Sequence, residues 1–178
     1  MKNLRTNLMT KIAYKTRWWL VLLNKLVSQN CYIKKYKKLL SDYGMNIVQD
    51  KSYIDPSTYF DNYDYSLISI GAGVTISREV LFLVHDFSLN KGLKLIGADH
   101  IGYMVEPISI GNNCFIGARV VLLPGTKICD NVIIGAGAVV KGTIPPNSVV
   151  VGNPAKIIGS VEDYGRKHFE AGDYIKIK

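Results

Sequence analysis

Aliphatic side chains return every six residues along much of this 178-residue chain. Ile110, Ile116, Leu122, Ile128, Ile134 and Val140 keep that step unbroken, and the same step links Ile70, Ile76 and Phe82 and, before them, Ile54 and Phe60. A helix returns a side chain to one face after 3.6 residues and a strand after two, so neither explains a step of six. Four positions after the aliphatic residue stands a small or β-branched one, at Val74, Val80, Cys114, Val120, Thr126, Val132, Ala138 and Ile144. Three positions after it stand Gly73, Asn113, Gly125, Asn131 and Gly137, residue types that readily take turn conformations. Short β-stretches bent every six residues describe a coil with three flat sides, a parallel β-helix. One such unit cannot bury its apolar face alone and gains a core by stacking on the next. Three units make a turn of roughly 18 residues, which predicts columns joining Ile110 to Ile128 and Ile116 to Ile134.

The step lapses between Phe82 and Ile110. The stretch 86–107 holds Asn90, Gly92, Gly97 and Gly102 without a six-residue register and reads as an extruded loop; a loop of about 20 residues in a compact domain usually carries function or is disordered. After Val140, the run Ile144-Pro145-Pro146-Asn147-Ser148 ends the regular coils and Gly152-Asn153-Pro154-Ala155-Lys156 leads out of them. The β-helix is therefore expected over 46–161, followed by a short cap or tail at 162–178.

Residues 1–45 hold ten basic side chains against the single acid Asp42, whereas the rest of the chain carries 12 bases and 13 acids. Residues 4–43 lack Gly and Pro, and Leu8, Ile12, Trp19, Leu22, Leu23 and Leu26 recur at helical spacings, so this extension reads as one or two amphipathic helices. Its apolar stripe either packs on its own domain or a neighbouring subunit, or lies on an anionic membrane with the Lys34-Lys35-Tyr36-Lys37-Lys38 run adding attraction. No recognised nucleic-acid motif accompanies the basic run.

With 48% apolar and 20% charged residues the chain is neither disordered nor a collagen-like fibre. The apolar run Trp18–Leu23 is ended by Asn24 and Lys25, too short for a membrane span of about 20 residues or for a secretory signal. Three cysteines, Cys31, Cys114 and Cys129, without a CxxC spacing argue against a disulfide framework or a zinc cluster and suit a reducing compartment, so the cytoplasm is expected. Cys114 takes an inward repeat position, that of a small apolar filler. The histidines are His85, His100 and His168, with no HxxxxH pair in the coils, which argues against a β-helical zinc carbonic anhydrase.

The stretch IGNNCFIGARVVLLPGTKICDNVIIGAGAVVKGTIPPNSVVVGNPAKII, together with ISIGAGVTISREVLFLVHDFS upstream, resembles the hexapeptide-repeat acyltransferases over about residues 54–159. The likeness is to their maltose/galactoside and polysaccharide O-acetyltransferase branch, on the histidine at the loop start, IGAGAVV and NPAK. The resemblance implies a mainly β chain folded as a left-handed parallel β-helix with an N-terminal helical extension, against the usual right-handed rule for parallel crossovers. It also implies a homotrimer with each active site between two prisms, acetyl-CoA as co-substrate, no metal requirement, and a saccharide acceptor; the basic N-terminal extension points to a unit of a cell-surface polymer, and so to polysaccharide biosynthesis. A serine O-acetyltransferase-like enzyme is the rival reading, and would carry a much longer helical N-terminal domain. A non-catalytic β-helix scaffold would have no affinity for acetyl-CoA.

His85 falls three positions after Phe82, at a turn of the triangle, which points its ring outward where the loop leaves the coil. The resemblance makes it the general base: a sugar hydroxyl is a poor nucleophile, and an imidazole can take its proton as it attacks a thioester. Asp86, Asp99 and Glu106 are the local carboxylates for orienting the ring; the reading settles on Glu106, just before the coil resumes, and takes Asp86 as a turn residue. On the same resemblance, Ala118 supplies a backbone donor near the thioester, and Gly135, Ala136 and Gly137 lie along the donor. Lys156 stands where the family often has an arginine for the 3′-phosphate. The second basic residue of that pair falls on Gly159, which leaves Lys141 or another subunit to assist. Phe115 occupies a position where these enzymes often have tryptophan.

Overall fold

The computed structural model describes residues 29–48, 52–61 and 63–177. The chain coils as a left-handed parallel β-helix. Its three parallel sheets are the faces of a prism, and the aliphatic residues read from the sequence stack as columns inside it. Ile47, Ile70, Ile110, Ile128 and Ile144 form the first column. The second joins Ile54, Ile76, Ile116, Ile134 and Val150. Phe60, Phe82, Leu122 and Val140 make the third. The flanking positions are also buried, Val74, Val80, Val120, Val132 and Ala138 completely. β-branched side chains fit such pleated, close-packed faces, and each fully buried one contributes about 2 kcal/mol relative to exposure.

The corners depart from the six-residue rule at three places. Ile144 pairs with Ile128 and so begins a face instead of flanking one, because a tight turn at Gly142, φ +78°, shortens the last coil. Near the start, Phe60 still pairs with Phe82, but a 3₁₀ turn at Tyr65–Leu67 lengthens the corner before Ile68–Ile70. The third departure is the stretch 86–107. It is a two-stranded antiparallel arm, with His85 opposite Val105 and Asp86 opposite Met104.

Left-handed backbone conformations line the other two corners. Gly73, Asn113, Asn131 and Asn147 occupy one, where the Asn113 amide donates to Asn131 at 2.8 Å and the Asn131 amide to Asn147 at 3.0 Å. On the next stand Glu79, Arg119 and Gly137, at φ 59°, 60° and 72°. The first group follows the Gly and Asn preference for this region; Glu79 and Arg119 do not.

Helix α1, Gln29–Asp42, packs Tyr32, Tyr36 and Leu40 into the core together with Met45. This is the own-domain alternative for the extension; Lys34, Lys35 and Lys38 face water while Tyr36 and Lys37 are buried. The expected helical stretch before Gln29 lies outside the described residues. A short helix α2, Leu89–Leu95, sits in the arm. After the last coil, Ser148–Val151 pairs antiparallel with Lys156–Ser160, and helix α3, Val161–Ala171, follows, capped by the Ser160 hydroxyl and by Gly172 in a left-handed conformation. No residue of α3 is buried. Among the described residues, no helix is long and apolar enough to cross a membrane. Cys114 is buried, and burial pushes its thiol up, in keeping with an apolar filler.

Candidate active site

At Phe60 the third face ends, but the backbone N–H of Asp61 still donates to the Phe82 carbonyl at 2.9 Å. That extra rung bond turns the Asp61 side chain into the corner, where it is buried. A buried carboxylate needs donors, and Asp61 has them: the backbone N–H groups of Tyr63 at 3.3 Å and Val84 at 3.2 Å, and Nδ1 of His85 in contact with Oδ2. An imidazole whose Nδ1 is held by a carboxylate keeps Nε2 available to accept a proton. The His85 side chain is 29% exposed while its Nδ1 is buried, so the accessible edge of the ring is the one away from Asp61.

The six-residue register places His85 on a turn with its ring outward. The chain instead runs straight on through buried Val84, and His85 opens the first strand of the arm with its ring partly sunk against Asp61. Glu106 closes the base of the arm through its backbone, donating to the Val84 carbonyl at 3.0 Å, but its carboxylate lies over Gly125, in space that a side chain there would fill. Asp86 accepts the Ser88 N–H at 2.7 Å as a turn residue; that bond holds its carboxyl below the ordinary range, with the Lys141 charge assisting. Asp99 pairs with His100 at 2.9 Å. Among the described residues, the carboxylate on the imidazole is therefore Asp61, which the sequence reading passed over. A signal existed: Phe60 stacks beneath Phe82, so the residue after Phe60 lies under the approach to His85.

A groove of about 680 Å³ runs along the corner between the second and third faces, lined by Ala118, Ala136 and Gly137 with Arg78, Glu79 and Arg119. Small residues keep adjacent coils close here: a Cβ on Gly117 would lie 2.6 Å from the Ala136 nitrogen. Arg119 Nε donates to Glu79 at 2.7 Å, and this bond holds the Glu79 carboxyl below its ordinary value. Gly135 lies beyond the groove under the Val151 side chain, and Val151 pairs with Lys156 on the next strand. Lys141 is elsewhere, at the end of the third face near Asp86. Three of the expected donor residues thus share one groove, Gly135 and Lys156 extend its line, and Lys141 lies by the arm. His85 stands on a different edge of the prism, between the third and first faces. Among the described residues, no group of three His, Cys, Asp or Glu is placed to hold a metal ion.

A family model described as bacterial transferase hexapeptide (six repeats) matches residues 107–142. The chain is 32% identical over 149 residues to the galactoside O-acetyltransferase of Escherichia coli (strain K12), an alignment covering 71% of this chain and 69% of that protein. It is 36% identical over 127 residues to a Schizosaccharomyces pombe protein that carries only a provisional acetyltransferase name, covering 68% of this chain and 56% of that one. The chain therefore spans between just over half and about two thirds of these relatives. Among solved structures, a galactoside acetyltransferase in complex with coenzyme A superposes with a TM-score of 0.59 at 27% identity, covering 95% of this chain and 88% of that one.

Proposed function

The chain belongs to the hexapeptide-repeat acetyltransferases, and from that premise we propose that it moves an acetyl group from acetyl-CoA to a sugar hydroxyl with His85 as general base. The observation that carries the reading is the contact between buried Asp61 and His85 Nδ1, which leaves the other ring edge accessible.

Nε2 of His85 takes the proton of the acceptor hydroxyl as its oxygen attacks the thioester carbonyl. A C–O ester bond forms, the C–S bond breaks, and His85 returns its proton to the departing sulfur. No covalent enzyme intermediate is needed. Asp61 stabilises the imidazolium while it carries that proton.

The groove of Ala118, Ala136 and Gly137 suits an extended pantetheine arm, since the small residues allow close approach to the backbone. Lys156, past its end, is a point charge for the 3′-phosphate. Because groove and imidazole lie on different edges of one prism, each active site is read as His85 of one copy facing the groove of the next in a trimer. The basic residues of 1–45 suit an acceptor presented at an anionic membrane face, as in cell-surface polysaccharide assembly.

Release of free thiol from acetyl-CoA, measured against mono- and oligosaccharides, tests the reading. His85→Ala is expected to lose about 100-fold or more in rate with its fold unchanged. Equal rates in the variant and the wild type overturn it.

A further inference from the structure

Three aromatic rings with no part in the chemistry above close on the imidazole. Tyr63 follows Asp61 around the corner, Phe87 follows the first strand of the arm, and Tyr103 precedes the second. The ring centres of Tyr63 and Phe87 lie 5.6 and 5.3 Å from that of His85. Phe87 and Tyr103 stack at 4.5 Å and 26°, and Tyr63 stands edge-on to Tyr103 at 5.8 Å. The Tyr63 and Tyr103 hydroxyls are hydrogen bonded at 3.0 Å, which pushes the Tyr63 phenol above its ordinary value. In the single chain all three rings are open, 44%, 54% and 41% exposed for Tyr63, Phe87 and Tyr103.

Single exposed apolar side chains need no explanation, but three rings packed on one another and left open beside a base form a surface suited to a ligand. We propose that Tyr63, Phe87 and Tyr103 are the acceptor subsite, and that they recognise a pyranose by the face carrying its C–H bonds. A pyranose has hydroxyls around its rim and weakly positive C–H hydrogens on its flat side. Those hydrogens complement the electron-rich face of an aromatic ring. Phe87 and Tyr103 cover each other's inner faces, so the platform is an outward face of this stacked pair, with Tyr63 as the wall. In the bonded phenol pair only one O–H is used as donor, so the other O–H and the free lone pairs are left for rim hydroxyls. The 5.3 Å between Phe87 and His85 is a span that a stacked sugar and its rim hydroxyl can cover. An acyclic alcohol offers no flat face and gains nothing from the platform. The subsite deepens the reading of His85 as the base and rests on it.

The test uses the full chain with methyl β-D-galactopyranoside and methyl α-D-glucopyranoside against glycerol. Phe87→Leu and Tyr103→Leu keep apolar bulk and remove the aromatic face. In each, KM for the pyranosides is expected to rise about tenfold, the scale of an aromatic contact, and the preference for pyranosides over glycerol to collapse. Saturation-transfer NMR on wild type supplies a readout that needs no turnover: saturation from aromatic protons should reach the C–H face of a pyranoside most strongly and should weaken in Phe87→Leu. Unchanged KM values in both variants, with wild-type circular dichroism and with His85→Ala still inactive, overturn the subsite and leave the acetyl-transfer reading standing. A wild type that releases no thiol with any acceptor counts against that reading, while the saturation pattern still decides the subsite. Absence of the pattern with both pyranosides overturns it.

Discussion

Asp61 reaches His85 from one coil below, across a gap in the sequence that Phe60 and Phe82 close by pairing in register, their tilted rings 4.8 Å apart at the centres. The pair sits at the foot of the arm, so the coil that sets the register also sets the base.

Asp61→Asn tests the pair directly. The Tyr63 and Val84 N–H groups donate to different oxygens of Asp61, so an amide keeps one of the two bonds, and the charge that stabilises the imidazolium is gone. The expected result is a fall in kcat of about 100-fold or more with wild-type circular dichroism and a melting temperature lowered by the one buried N–H that loses its acceptor. A kcat near the wild-type value would remove Asp61 from the mechanism.

Gly117→Ala tests the groove. Its new Cβ would meet the Ala136 nitrogen at 2.6 Å, a backbone atom that cannot rotate away. Separation of the two coils is expected to cost about 1–3 kcal/mol and to weaken acetyl-CoA binding, read by thermal melting and by calorimetry. Unaltered stability would mean that the coils are not held at this spacing.

The Arg119–Glu79 pair gives an acid-dependent prediction. The Arg119 hydrogen bond lowers the native Glu79 pKa, so its stabilisation is in place above the ordinary carboxylate value and is lost as pH falls through the lowered one. Both side chains face water and the effect is small. The melting temperature of wild type should exceed that of Glu79→Gln at neutral pH and converge with it in acid. An advantage that persists in acid contradicts the assignment.

Cysteine labelling provides a check on the interior. Cys114 is buried with its thiol pushed up, whereas Cys129 is half-buried. Iodoacetamide at about pH 8 should modify Cys129 well before Cys114, as read by peptide mass spectrometry, because the thiolate is the reactive form. Faster labelling of Cys114 would mean that its inward position is wrong.

The coil was legible because one period recurs from Ile110 to Val140, and stacking rewards every repeat of it. Each unit of that signal is local. Where a corner changes length the signal fails: Ile144 reads as a flanking residue because nothing before Gly142 announces a shortened turn. The same holds for the corner after Phe60, which hid Asp61 from a reading that looked for carboxylates near His85 in sequence. Glu79 and Arg119 are not turn formers by type, so their left-handed backbone was invisible until their shared corner and ion pair were seen. The aromatic wall is less legible still, since Tyr63 and Tyr103 become neighbours only when the arm folds back.

Stacked coils pose a hazard of their own, for a bare terminal rung is an open template on which another chain can add. Here α1 lays Tyr32, Tyr36 and Leu40 against the core beside the Ile47 end of the first column. On the second face the final rung is Lys156–Ser160, which runs opposite to every strand before it. Removing α1 would uncover the rung at that end alone, and the shortened chain would be prone to pair there with a second copy.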